Sequence, residues 1–240
     1  IGEKGQFRFG HRYQFVEIEE PDRNIFIQRL DDALPDQLIE NRKHFTGASF
    51  ALNFDTRKDI NKPVLGTVWK NELVLMAGLN DDAKDLASYN TSLAFYHSFN
   101  LPAKITFATR FGFGVNFGDY EFFQAQTLGG KRQIRGFRKT RFYGDRKFFN
   151  NTEIRLKLLD LKTYVFPASL GLVGFHDIGR VWYKNEAGID PSAAGGTSTQ
   201  WHQGFGGGLW FSPFNMATLS TEVGVSEEET QFYIRLGFLF

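Results

Sequence analysis

The chain has 240 residues, with 28 Lys plus Arg against 27 Asp plus Glu, and a net charge of +1 excludes the broad basic field of a general nucleic-acid binder. It has no cysteine, which rules out disulfides and thiolate-ligated metals. No apolar run approaches the roughly 20 residues of a helical membrane span, whereas 27 Phe and 25 Gly point to aromatic, bend-tolerant β-structure. Such a composition fits a soluble β-sandwich or small barrel. It also fits an outer-membrane β-barrel, where only one face of each strand must be apolar. No leader sequence marks Ile1, and the opening reads as that of a mature protein or a fragment.

Period-two alternation predicts ten strands, at 5–19, 44–57, 64–79, 86–99, 103–118, 147–160, 163–182, 201–212, 217–226 and 230–240. Most exceed the ~5–6 residues of an ordinary globular strand. In the fifth, Phe107, Phe111, Phe113 and Phe117 fall on one face, opposite Ala108, Arg110, Gly112, Gly114 and Asn116. The first face suits lipid and the second a wet or crowded lumen. Between strands one and two, residues 21–42 carry Ile25, Ile27, Leu30, Leu34, Leu38 and Ile39 near helical spacing. This predicts a helical loop insert, interrupted by Pro35. The connections then alternate between long and short, the longest being 119–146. Long external loops and short periplasmic turns give a transmembrane barrel that alternation. In the last strand Phe232, Ile234, Leu236, Phe238 and Phe240 are expected to share one apolar face.

The long connection is also the most basic segment. Eight Lys or Arg lie from Lys131 to Lys147, with Asp145 as the one acid. Exposed, such a loop suits phosphate or lipopolysaccharide; folded inward, its cations would need carboxylates. Glu153 shares a face with Arg155 and Lys157, opposite Ile154, Leu156 and Leu158, and so should point inward. Asp177 is ambiguous, because Phe175 has the same parity and a bulge could intervene.

No catalytic or metal constellation is legible. His11, His44, His97, His176 and His202 lack ligand spacing. Ser169 and Ser212 lack a nucleophile-elbow context. Gly204–Gly208 has no following helix, and reads as a strand with small residues for bending or close packing. Glu227, Glu228 and Glu229 read as a solvated turn. The expectation is no enzyme activity and no cofactor.

Ile134-Arg135-Gly136-Phe137, preceded by Gly129-Gly130, resembles the tetrad of the BamA/TamA-type outer-membrane assembly factors, also called the bacterial surface antigen family. In that family the tetrad lies on a long loop that folds back into the barrel. The context is similar too. Glu153 lies on the next strand, Asp177-Ile178-Gly179-Arg180-Val181-Trp182 ends the one after, Ser212-Pro213 follows an aromatic strand, and the sequence closes on Phe240. Order and spacing agree over about residues 120–240. The resemblance implies an all-β antiparallel transmembrane barrel in the bacterial outer membrane. Family barrels have sixteen strands, so residues 1–240 would be either a shortened ten-strand barrel domain or the C-terminal part that corresponds to the last ten. It further implies a lumen-folding loop at 119–146, with Arg135 received by Glu153 and Asp177 while Phe137 wedges against the wall. A C-terminal assembly signal would fall at Phe232, Phe238 and Phe240. The implied function is insertion or transport of proteins or lipids. Implied partners are outer-membrane lipid and lipopolysaccharide, the barrel assembly machinery, and client outer-membrane proteins. Two alternatives stay open: a barrel that anchors an upstream phosphoesterase or lipase domain, and a passive pore.

Overall fold

The computed structural model describes residues 4–17, 42–81, 83–101, 103–162, 167–183, 200–214 and 217–240. The predicted helical insert at 21–42 lies outside the described residues, apart from Arg42. Ten long strands form one antiparallel sheet. They are β1 (Gly5–Val16), β2 (Lys43–Asp55), β3 (Gly66–Gly78), β4 (Leu86–Leu101), β5 (Ala103–Phe117), β8 (Arg146–Lys162), β9 (Pro167–Trp182), β10 (His202–Pro213), β11 (Leu219–Ser226) and β12 (Thr230–Leu236). Each pairs with its sequence neighbour across the connections, as expected of an up-and-down barrel wall. Between β5 and β8, the long connection forms its own ribbon from β6 (Gln126–Leu128) and β7 (Phe142–Gly144). Sequence alternation gave no sign of this three-residue pairing.

The strands form because their alternation resolves into two environments. Along β9, Val173, Phe175, Asp177, Gly179 and Val181 are buried, whereas Leu172, Gly174 and His176 are exposed. Phe7, Phe9, Phe107, Phe113, Phe205 and Phe232 are among the many large apolar side chains left exposed. An exposed apolar belt this extensive needs lipid to cover it. The inner face instead holds polar and charged residues together with the long connection.

The sheet curls around this inner face. Tyr96 on β4 meets Phe240 beyond β12, with ring centroids 6.0 Å apart. Lys62, from the β2–β3 turn, lies 4.5 Å from the Trp210 ring centroid on β10. Among the described residues, β1 and β12 pair on one side only and leave the sheet with two edges.

One expectation is corrected, and one open point is answered. The final strand stops at Leu236 rather than 240. Gly237 has φ +93°, a left-handed conformation that glycine adopts without penalty. The turn sends Phe238 and Phe240 to the inner face, where Phe238 meets Trp210 at 5.9 Å. Phe232, Ile234 and Leu236 stay outside, so the five residues do not share a face. The only register shift between β8 and β9 falls at Lys157/Leu159, well away from Asp177. Phe175 and Asp177 both point inward because the aromatic ring has a charged partner there.

Candidate functional site in the lumen loop

The site is assembled by register. Asn151 pairs with Asp177, and Glu153 with Phe175, across β8 and β9. Asp177 pairs with Gly204 on β10, and Glu222 with Tyr233 across β11 and β12. The inner face therefore presents a cluster of carboxylates beside a strip of glycines. The loop backbone fits onto that strip. A Cβ on Gly204 would lie 1.8 Å from the carbonyl oxygen of Arg135, so only glycine permits the approach.

Arg135 is completely buried. Its Nε and Nη2 donate to Asp177 at 2.6 and 2.8 Å, a bidentate fork. Its Nη1 donates to Glu153 at 2.7 Å and to Glu222 at 3.0 Å. Its backbone N–H also reaches Asp177, at 3.0 Å. The guanidinium carbon lies 3.4 Å from the centroid of the Phe175 ring, a stacked cation–π contact. Burial acts against the charge, but Glu153, Asp177 and Glu222 outweigh it and hold the Arg135 pKa above the ordinary guanidinium value. The cation stays ionised and the carboxylates have a permanent counter-charge.

The rest of the tetrad packs around this pair. Gly136 has φ +94°, and its N–H donates to the Tyr233 hydroxyl at 2.8 Å. Its carbonyl accepts from Ser226 Oγ at 2.7 Å. Ile134 and Phe137 are fully buried in an apolar cluster with Leu128, Phe142, Phe149 and Val181. Phe142 in turn stacks on His202 at 3.7 Å.

The structure thus brings together Ile134, Arg135, Gly136, Phe137, Glu153 and Asp177. It separates Phe232 from Phe238 and Phe240. Glu222, Tyr233, Asn151 and Phe175 belong to the cluster but were missed. Glu222 had a readable signal, an acid flanked by Ser220 and Gly224 on the polar face of β11. Tyr233 had none, because its partner is a backbone N–H ninety-seven residues away in sequence.

Further contacts hold the connection at both ends. Lys43 and Glu121 form a buried ion pair at 2.8 Å, between the start of β2 and the start of the connection. The acidic turn is not merely solvated, which corrects the expectation for Glu227–Glu229. Arg141 pairs with Glu228 at 2.7 Å, Arg138 with Glu229 at 3.5 Å, and His202 with Glu227 at 2.9 Å. Part of the loop's positive charge is therefore spent on the β11–β12 turn. Lys131, Arg132 and Lys139 remain exposed. Among the described residues no group of His, Asp and Glu is placed to hold a metal ion.

An apolar belt outside, a polar interior, and a long connection fastened across the inner wall define an integral outer-membrane β-barrel. The chain belongs to the Omp85 superfamily, whose domain model matches residues 1–240. Among solved structures, BamA from Haemophilus ducreyi lacking POTRA domains 1–3 superposes with a TM-score of 0.70 at 15% identity. The match covers 99% of this chain and 52% of that one, so this chain spans about half its length. A search among curated proteins finds no match.

Proposed function

We propose that this barrel inserts or translocates proteins or lipids at the outer membrane, with Arg135 as the lock that keeps the long connection inside the lumen. The observation that carries the reading is the buried Arg135–Glu153–Asp177–Glu222 cluster within a chain of the Omp85 superfamily. Its partners would be client outer-membrane proteins, the barrel assembly machinery that inserts it, and the surrounding lipid and lipopolysaccharide. Holding a loop in place is a mechanical task, and it needs no nucleophile or cofactor. Three carboxylates around one guanidinium form a fastening that opens only as a unit, because removing the cation strands buried charge. Phe232, Phe238 and Phe240 would serve as the assembly signal. Their split between the two faces supports a reading in which Phe232 meets lipid while Phe238 and Phe240 contact the interior.

The test replaces the native gene with Arg135→Glu and with Arg135→Glu/Glu153→Arg. Outer-membrane levels of other barrel proteins and surface lipopolysaccharide are then measured, alongside the folded state of the variant itself. Depletion of clients with a folded variant barrel is expected, with partial recovery in the swapped pair. Unchanged client levels with altered ion conductance would favour a passive pore. Membrane loss of an attached catalytic activity, and nothing else, would favour an anchor.

A further inference from the structure

A second polar feature of the inner face lies toward the short-turn end, away from the tetrad. A cavity of about 290 Å³ is bounded by four cations, Lys62, Lys104, Arg155 and Lys157, and one carboxylate, Asp59, with Trp210 and Phe238 as apolar walls. Lys104 and Lys157 are direct cross-strand partners, and Thr106 and Arg155 are the next inward pair. Like charges directly opposite each other on one sheet face repel. Lys157 is relieved by Asp160 at 2.5 Å. Lys104 forms no hydrogen bond or ion pair among the described residues. Arg155 is 3% exposed, and its Nε and Nη2 donate to Glu153 at 2.9 and 2.7 Å. Its Nη1 is buried with no partner. A guanidinium N–H left unsatisfied in the interior is costly, and Arg155 lines the cavity with its guanidinium carbon 3.9 Å from the Phe238 ring centroid. Lys62 completes the ring from the opposite wall, with its ammonium held over the Trp210 ring. Burial, then repulsion from Lys157 and Lys104, lower the Lys62 pKa. Asp59 and Asp160 answer only part of this charge.

We infer that this cavity binds a phosphate group, held by Lys62, Lys104 and Lys157, with the positive charge of Arg155 in the wall. A tetrahedral oxyanion offers several acceptors to donors converging from different walls, whereas a planar carboxylate serves a two-pronged fork best. Bound phosphate would offset the Lys104–Lys157 repulsion. It could arrive as the free ion or on a lipid headgroup, whose glycerol would lie against Trp210 and Phe238. The inference rests on these side chains and does not require that the barrel handle clients.

The test uses the full native chain, extracted in non-ionic detergent and exchanged into phosphate-free buffer at low ionic strength, where screening is weak. Titration calorimetry with inorganic phosphate should show saturable binding. Lys62→Gln and Lys104→Gln should each weaken it roughly ten- to a hundredfold, the loss of one charge-assisted contact. Lys139→Gln, on the exposed loop, should leave it unchanged. The thermal midpoint of each variant establishes that it is folded. Monomeric dihexanoyl phosphatidylglycerol separates the sources. Tighter binding than inorganic phosphate assigns a headgroup, and weaker binding assigns the free ion. Absence of saturable binding by either probe would overturn the inference. So would equal binding of acetate, or variants that bind as the parent does.

Discussion

Replacing Arg135 with Ala should release the tetrad without unfolding the barrel. The side chain removed donates four hydrogen bonds to three carboxylates that are 0–1% exposed. What remains is a partial set of partners. Glu153 keeps Arg155, Asp177 keeps Asn151, and Glu222 keeps Ser220. Breaking a buried ion-pair cluster on one side costs roughly 3–5 kcal/mol. At about 1.4 kcal/mol per tenfold, the undocked population rises by roughly two to three and a half orders of magnitude. Residues 1–240 contain no cysteine, so a single Ile134→Cys gives a clean probe of opening. Ile134 is fully buried when docked, and its thiol reacts with maleimide only from the opened loop. The labelling rate tracks the open population when closing outpaces labelling. Comparing rates with and without Arg135→Ala removes the cost of the probe to first order. Arg135→Lys should fall between the two, because one ammonium cannot reproduce the fork on Asp177 while also reaching Glu153 and Glu222. A rate ratio below roughly threefold, well under 1 kcal/mol, would refute the reasoning. The apolar cluster around Phe137 would then be holding the loop unaided.

Three other expectations can be checked on the same preparation. Gly204→Ala should expel the loop backbone, since its Cβ would meet the Arg135 oxygen at 1.8 Å; Gly174→Ala, with nothing within 4 Å, should leave loop labelling unchanged. Tyr233→Phe strands the Gly136 N–H and should cost about 1–3 kcal/mol of loop docking, read as faster maleimide labelling at position 134. Gly237→Val opposes φ +93° and should shift the closing residues toward an extended path. A Tyr96→Cys/Phe240→Cys pair should then cross-link less readily than it does with Gly237 present; an equal yield would show that side-chain packing, not the turn, holds Phe240 inside.

Much of the barrel is legible one residue at a time, because a sheet with lipid on one side imposes a period of two. Phe107, Phe111 and Phe113 advertise the outside of β5, and Arg155 places its neighbour Glu153 on the inside of β8. Local order also carries the Ile134-Arg135-Gly136-Phe137 tetrad, which is a contiguous string. Alternation does not say where a strand stops. The last strand keeps its pattern to Phe240, yet Gly237 turns the chain and the inner wall takes Phe238 and Phe240. Nor does it say which charges meet. Glu222 lies eighty-seven residues from Arg135, and only the stacking of β8, β9, β10 and β11 in one register brings it alongside Glu153 and Asp177. The same holds for the basic cavity, where Lys62 comes from the β2–β3 turn and Lys104 from the start of β5, and the two converge because the sheet curls. Strand periodicity and the alternation of long and short connections pointed to the membrane class, and periodicity gave the inward or outward sense of side chains within the strands, since these follow from solvent on either face. Register and curvature decided the partners, because a buried charge is satisfied by what lies across the lumen rather than by what lies next in the chain.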